Sequence, residues 1–537
     1  MLAADTRKGT SMITLRSYLC GKWMEGSGEA QILLNPATEE PLATASSAGI
    51  DLAAALEFAR RQGGPALRRM SFAERGALLK SMADAMQAAR DELLALAVAN
   101  GGNTRSDAKF DIDGAIGTLL AYAEIGSSLG AARFLNDGEG IQLGRSPRFH
   151  GQHILVPRQG VAVHVNAFNF PAWGFAEKAA VALLAGMPVL SKPATSSAMV
   201  AHRIMEMLVE KGVVPEGSVS LLAGSPRDLL SHLGAQDVLA FTGSGETGAS
   251  IRALPNVIAK SVRVNVEADS LNAAVLGPDA EPGGDMYELF LKDVVRDMTQ
   301  KAGQKCTAIR RVLVARDIAA TVRDDLAGLL AELRVGNPAR DDVRMGPLAT
   351  GSQLAEVREG VQRLLVEGKA AFGSAAPVNA AGVEPGKGYF ISPVLVEFES
   401  AANASAVHQH EVFGPIASLL PYSGEAAQAA EIVARGNGGL VCSIYSDDAA
   451  WIQHAVLGND EASDGALAGV AAFHGRIFLG HPKIELSPGP GTVLPQLLHG
   501  GPGRAGGGEE LGGARGLSFY MQRVALEGSR PVIGKLL

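Results

Sequence analysis

Three side chains of different chemical type could together carry acyl chemistry in this chain. The thiol is Cys306, in the stretch KAGQKCTA that runs from Lys301 to Ala308. A thiolate is a strong nucleophile towards an aldehyde or acyl carbon. Lys301, Lys305, Arg310 and Arg311 add positive charge nearby, which favours thiolate over thiol. The ordinary alternative is a small buried hydrophobe, as most free cysteines are, and on this segment alone that reading is preferred. The carboxylate is Glu267, which ends the alternating run VRVNVEA. In a cleft it could act as a general base; alone, an exposed strand-end acid is the simpler reading. The amide is Asn169, in FNFP, just before a proline that starts a helix. Its NH₂ could donate to an oxyanion, or it could be a turn or N-cap asparagine.

Three further stretches suit a phosphate- and sugar-bearing ligand. FTGSGETG, Phe241 to Gly248, follows a strand and opens a helix. Helix N-termini favour phosphate, and Gly243 and Gly245 would let backbone approach a ligand. The stretch is not the GxGxxG fingerprint, and a structural turn is about as good a reading. Lys192, in KPATSS, closes another strand and is placed for a ribose or phosphate; a solvated lysine is the alternative. Thr195 and Ser196 follow it where a carboxylate would accept from a free ribose 2′-OH and repel a 2′-phosphate. HEVFGP, His410 to Pro415, places Glu411 before an apolar turn.

The elements that must position these residues alternate strand and helix. Two early strands are expected within Thr14–Ala45, then helices from Asp51 to about Ala99 and from Asp111 to Ala131. Phe149–Pro157 and Val161–Val165 read as two strands that could pair as a hairpin. A helix over Phe175–Ala185 and the strand PVLSKP complete a β-turn-α-β unit, the grammar of a parallel sheet. The unit repeats through Ser197–Lys211, SVSLLAG, DVLAFTGSG, VRVNVEA and NAAVLG. A doubly wound sheet with its ligand site at the strands' carboxyl ends follows. A second α/β block begins near Gly277, with a helix over Tyr287–Gln300, a strand over Val312–Ala315 and helices over Ala319–Leu333 and Gln353–Glu367. Ser487–Gly516 is too rich in glycine for a regular element and reads as a loop. The tail ends in RPVIGKLL, an expected edge strand or oligomer contact.

Composition bounds the class. At 537 residues the chain needs two or three domains. A net charge of −8 and the lack of any basic block give no sign of nucleic acid or anionic membrane as partner. Cys20, Cys306 and Cys442 are far apart and odd in number, which argues for a reducing compartment and against disulfides or a zinc or other metal site. There is no apolar signal core at the start, and a cytoplasmic protein is expected.

NAFNFPAW, LSKPATSS, FTGSGETG, VEADS, KAGQKC and HEVFGP resemble, in that order, the signature segments of the NAD(P)-dependent aldehyde dehydrogenase superfamily. The resemblance covers about Leu15 to Leu537. It implies the family's fold: two Rossmann-like α/β domains plus a small β oligomerisation element. Residues 1–12 would be a leader. Residues 13–147 and 162–276 would form the cofactor-binding domain, to which 486–516 returns, and 277–485 the catalytic domain. Residues 148–161 and 517–537 would join subunits into a homodimer or dimer of dimers. It further implies that Cys306 attacks the aldehyde, that Asn169 stabilises the oxyanion and that Glu267 activates water to hydrolyse the thioester. Lys178 and Glu510 match a proton relay, with Glu509 adjacent to the second. The cofactor would meet Phe168, Lys192, Thr195, Ser196, Thr242, Gly243, Ser244, Thr247, Glu411 and Phe413.

The departures from the family pattern are informative. Thr195 stands where a glutamate is common, which argues for NADP over NAD. VEADS replaces ELGGK, and Cys306 lies 39 residues after Glu267, several more than usual. The GPGRAGGGEELGG stretch, with VNVEADSLNAAVLGPD and MTQKAGQKCTAIRR, resembles the subgroup of coenzyme-A-linked aromatic degradation. With no hydratase domain following Leu537, the stand-alone benzoate-pathway enzymes are favoured over the phenylacetate ring-opening ones. The implied activity is NADP-dependent oxidation of a CoA-linked semialdehyde to its carboxylate. A CoA-acylating dehydrogenase is the rival, and Glu267 argues against it, because thiolysis does not need this base.

Overall fold

The computed structural model describes residues 12–459, 467–484 and 486–537. The expected leader lies outside the described residues except for Met12, which is exposed. Two seven-stranded sheets dominate. In the first, strands Arg263–Glu267, Val238–Thr242, Ala162–Val165, Val189–Lys192 and Val219–Leu221 lie side by side in that order, all parallel. Ser17–Leu19 and Lys22–Met24 extend it antiparallel. The strand order reverses between Ala162–Val165 and Val238–Thr242, and such a switch point opens a crevice at the carboxyl ends. Asn169 and Thr242 follow or end these two strands.

The second sheet runs Lys369–Phe372, Val394–Glu397, Ile416–Tyr422, Arg311–Ala315, Ala273–Leu276, Gly439–Tyr445 and His474–Gly480. Only the first of these is antiparallel. The chain therefore passes between sheets just after Glu267, and Ala273–Leu276 belongs to the second block, not to the first as its sequence suggested. Ala273–Leu276 is apolar and buried throughout, so sequence alone could not say which sheet buries it.

Residues 149–165 do not form a hairpin. Ala162–Val165 is buried on both faces, as a strand covered by helices on both sides must be. Phe149–Pro157 is only partly covered and pairs instead with Met521–Ser529, antiparallel over nine residues. Arg158 separates the two, its guanidinium donating to the carbonyls of Ala235 and Gln236. The tail RPVIGKLL is a helix, Arg530–Leu536, with Pro531 in its first turn, where its missing N–H costs nothing; the edge strand precedes it. The N-terminal stretch holds five short strands instead of two.

Helix packing sets the floor of the crevice. Helix Trp173–Ala185 is buried along nearly its whole length. The buried Asp111 of helix Arg105–Leu129 accepts from Trp173 N at 2.8 Å, and Trp173 Nε1 donates to Thr118 Oγ1 at 3.0 Å. A carboxylate at a helix N-terminus also complements its dipole. These contacts fix the rotation of the helix that carries Lys178.

Candidate active site

The turn at Cys306 is built from strained backbone. Helix Asp285–Thr299 gives way to Lys301, Ala302 and Gly303, with φ of 55°, 52° and 68°. Left-handed conformation costs a non-glycine residue roughly 1–2 kcal/mol, so packing must hold it. A Cβ on Gly303 would sit 2.1 Å from Gly414 O; the KAGQKC and EVFGP turns touch backbone to backbone. Arg310 binds them together. Its guanidinium donates to Gly414 O, Gly303 O and Glu411 Oε1. Asn272 donates to Cys306 O at 2.8 Å and Ala308 O at 2.9 Å. From Lys301 to Ala315, Cys306 alone is not buried. The thiol faces a cavity of about 40 Å³ lined by Phe110, Phe170, Trp173, Val493 and Thr307, with Asn169 and Glu267. A larger groove of about 970 Å³ along helix Asp285–Thr299 shares none of these residues.

The nearby cations do not serve the thiol as their spacing suggested. Lys301 Nζ lies over the Phe170 ring, 4.5 Å from its centre. Lys305 pairs with Asp297 at 3.0 Å, and Arg311 donates to Leu271 O, Ile432 O and Val433 O. Burial instead pushes the Cys306 thiol up, and the Glu267 carboxylate adds to this.

The structure brings Asn169, Glu267 and Cys306 to one cavity. Asn169 is buried, its Nδ2 donating to Gln304 O at 3.0 Å. Glu267 Oε2 accepts from Thr242 Oγ1 at 3.4 Å. Its other oxygen lies 3.0 Å from Nε2 of His499, a residue that sequence reading passed over. The same nitrogen is 3.8 Å from Cys306 Sγ. Burial disfavours charge on both partners, yet the contact lowers the Glu267 carboxyl and raises the His499 imidazole. The three ligand-type atoms lie within 4.8 Å of one another, a clustering that the wide cysteine spacing gave no hint of.

His499 arrives on a hairpin inside the stretch read as a loop. Leu498–Gly500 pairs antiparallel with Glu509–Leu511, placing His499 opposite Glu510. The glycines are there for clearance: Gly506 has φ +100°, and a Cβ on it would stand 2.3 Å from Val266 O. Ala268 N donates to Ala505 O at 3.1 Å, so the segment lies directly over the strand that ends in Glu267. The histidine that opens HGGPGRAGGGEELGG was the available signal, and it was hidden by the assumption that glycine density means irregular chain.

Glu510 points inward and Glu509 is exposed. Lys178 Nζ, buried, lies 2.9 Å from Glu177 Oε1 and 3.0 Å from Glu510 Oε2. Burial opposes charge on this lysine, but the two carboxylates outweigh it and hold it well above the usual lysine range. Burial raises Glu510 to about 7 despite Lys178. Asn265 donates to Glu510 Oε1 at 3.0 Å.

The residues expected to meet a cofactor lie at strand ends and in the turns that follow them. Ser244 caps helix Gly245–Arg252, its Oγ accepting from Thr247 N, and Gly243 N donates to Glu267 O at 3.1 Å. Lys192 is buried and pairs with no acid among the described residues; burial alone lowers it to about 8. Thr195 sits in the next turn, Thr195–Ser197, whose Ser196 carbonyl accepts from Asn100. Glu411 accepts from Ser270 N and Arg310, and burial raises it to about 7. Phe413 packs edge-on to Phe168, with centroids 5.9 Å apart.

Fold and site together define an aldehyde-oxidising enzyme of the two-sheet kind. Residues 23–458 match the Aldehyde dehydrogenase family, and the chain belongs to it. Over 489 residues it is 45% identical to the 3,4-dehydroadipyl-CoA semialdehyde dehydrogenase of Aromatoleum evansii, covering 91% of this chain and 93% of that one. The alpha-ketoglutaric semialdehyde dehydrogenase of Bacillus subtilis is 27% identical over 82% of this chain and 86% of its own. Among solved structures, betaine aldehyde dehydrogenase of Staphylococcus aureus in complex with NAD+ superposes with a TM-score of 0.80 at 21% identity, covering 96% of this chain and 95% of that one. Lactaldehyde dehydrogenase of Escherichia coli superposes with a TM-score of 0.81 at 23% identity, covering 96% of this chain and all of that one, 100%. At these identities the structural likeness concerns the fold. Among the described residues, no helix is long and apolar enough to cross a membrane.

Proposed function

We propose that the protein oxidises a coenzyme-A-linked semialdehyde, 3,4-dehydroadipyl-CoA semialdehyde, to its carboxylate with NADP, in aerobic benzoyl-CoA degradation. The observation that carries this reading is the meeting of Cys306, Asn169 and Glu267 in one narrow cavity, in a chain 45% identical to a dehydrogenase of that name. The Cys306 sulfur attacks the aldehyde carbon. Asn169 Nδ2 and the Cys306 N–H donate to the oxygen as it gains charge. The nicotinamide, when bound, accepts the hydride. A thioester on Cys306 remains, and Glu267 takes a proton from the water that hydrolyses it. Lys178 and Glu510 then carry that proton away.

The residues facing the crevice fit an NADP molecule. The N-terminal end of helix Gly245–Arg252 brings its positive dipole end to the pyrophosphate, with Thr242, Gly243, Ser244 and Thr247 around it. The acid-free Lys192 and the Thr195 and Ser196 hydroxyls suit a ribose bearing a 2′-phosphate. Glu411 accepts from the nicotinamide ribose, with Phe168 and Phe413 beside the ring. The protein works as a homodimer or dimer of dimers, joined through the sheet of Phe149–Pro157 and Met521–Ser529. It is placed in the cytoplasm, with the CoA thioester as its small-molecule partner.

Steady-state oxidation of a CoA-linked C6 semialdehyde and of a free aliphatic aldehyde, each with NADP and NAD, tests the reading. A large kcat/KM advantage for the CoA substrate with NADP is expected. Equal rates on free aldehydes would reduce the assignment to a general aldehyde dehydrogenase. Release of a new CoA thioester in place of a carboxylate would point to the acylating alternative.

A further inference from the structure

We infer that the groove of about 970 Å³ along helix Asp285–Thr299 holds the phosphorylated nucleotide end of the coenzyme-A-linked substrate, with Lys292 and Arg344 as the side chains that meet its phosphates. This rests on the CoA-linked aldehyde of the proposed function. The cavity at Cys306 holds about 40 Å³. One water molecule in the liquid takes up about 30 Å³, so this cavity admits the end of a chain and nothing bulkier. The nucleotide must therefore lie outside it. None of the residues assigned to NADP lines the groove, so the enzyme can hold both ligands together.

Three segments run from the groove to the thiol. On helix Arg105–Leu129, Asp107 lines the groove and Phe110 lines the cavity. Three residues of helix separate them by about 5 Å. Beyond helix Asp285–Thr299, Gln300 lines the groove, and its Oε1 accepts from Lys305 Nζ, beside Cys306, at 2.8 Å. Arg296 lines the groove too, and its guanidinium fills the space that a Cβ on Gly489 would need. Gly491 and Val493, a little further along that segment, line the cavity. An extended arm between nucleotide and aldehyde has only this thin wall to pass.

The groove has the chemistry of a nucleotide site. The protein carries a net charge of −8, yet the groove is lined by five cations against the acids Asp107, Glu288 and Asp341. Three of the cations are paired: Arg105 with Asp91 at 3.3 Å, Arg296 with Asp293 at 2.7 Å and Arg340 with Asp342 at 2.9 Å. A paired guanidinium still keeps N–H donors free. Arg344 donates only to the carbonyls of Asp341 and Val343, and neither it nor Lys292 has a carboxylate partner among the described residues. Both are exposed. Lys292 stands on helix Asp285–Thr299 and Arg344 on the chain beyond helix Ala319–Ala331. Leu289, Val295, Leu329 and Leu333 add an apolar lining on which a purine can pack, and Leu329 is exposed despite being apolar.

Steady-state oxidation of a CoA-linked C6 semialdehyde and of a free C6 aldehyde, both with NADP saturating, tests the placement. The readout is the ratio of the two kcat/KM values. Lys292→Glu and Arg344→Glu should each lower that ratio roughly tenfold, through KM for the CoA-linked substrate, because reversal turns an exposed attraction into a repulsion. Lys292→Arg keeps the charge and should hold the ratio within about twofold of wild type. Lys80→Glu, exposed on helix Phe72–Ala88 and outside the groove, changes the net charge equally and should leave the ratio where it is. Binding of CoA itself to the whole enzyme, by equilibrium dialysis with NADP present, should weaken by a similar factor in the two reversals and needs no turnover. A ratio indifferent to both reversals, or an equal loss on the two substrates, overturns the placement while the wild-type preference for the CoA-linked aldehyde stands. If the wild type shows no such preference, the proposed function falls and the placement falls with it.

Discussion

The two sides of Cys306 are built differently. On the cofactor side, Lys192, Thr195, Gly243 and Ser244 stand at successive strand ends and helix starts of one sheet. Their polar groups bond to nearby backbone: Ser244 Oγ accepts from Thr247 N and Gly243 N donates to Glu267 O. On the hairpin side, Glu267 is bonded to His499, and Lys178 is paired with Glu177 and with Glu510, which also accepts from Asn265. The first side holds one buried cation, Lys192, with no carboxylate beside it among the described residues. The second is arranged before any ligand arrives, so its charges need little reorganisation during reaction, which is where electrostatic catalysis gains most.

Substitutions on the two sides should therefore fail in different ways. Cys306→Ser removes the atom both sides serve, and turnover should fall on the order of 10⁴-fold, with cofactor affinity by equilibrium titration unchanged. Glu267→Gln on the hairpin side should cut steady turnover about 10³-fold yet leave one equivalent of NADPH released in a burst. Continued NADPH production by a clean preparation would remove Glu267 as the base for water. On the cofactor side, Thr195→Glu sets a carboxylate against the 2′-phosphate. NADP kcat/KM should drop about 100-fold with NADH formation on NAD preserved; unchanged NADP use would mean that this turn does not read the phosphate.

Two smaller effects sharpen the contrast. A carboxyl raised to about 7, as in Glu510, is neutral below that pH and ionised above it. A relay needs the ionised form to accept a proton. Thioester hydrolysis should therefore quicken as pH rises through about 7 and lose that inflection in Glu510→Gln, with a loss of roughly tenfold at pH 8. Single-turnover hydride transfer should not share the change. Gly506→Ala presses a methyl against Val266 O, and about 1–3 kcal/mol of stability should go. It should lower Tm and slow hydrolysis more than it weakens NADP binding, because the hairpin lies on one side only.

The position of Lys192, Thr195, Gly243 and Ser244 was legible in the sequence because each follows an apolar strand and precedes a helix, so local pattern places it at the sheet's carboxyl edge. The inward turn of Glu510 over Glu509 was not legible; it depends on which face of a three-residue strand meets Lys178. The KAGQKC turn showed that Cys306 was special, and its four cations suggested the wrong reason. Their charge is visible in sequence, but their partners (a phenyl ring, Asp297 and several carbonyls) come from elements far along the chain.

Residue order alone thus determined the family and the alternation of strands and helices, and it pointed to Cys306, Asn169 and Glu267, which the fold brings to one cavity. Local periodicity and turn chemistry suffice for these, since each is written within a few neighbours. Only the tertiary structure decided that Ala273–Leu276 joins the second sheet, that Phe149–Pro157 pairs with the C-terminal strand, and that His499 stands between Cys306 and Glu267. Those outcomes rest on close approach between segments up to 380 residues apart, as Phe149 and Ser529 are. No local signal encodes such an approach, except the glycines that make room for it.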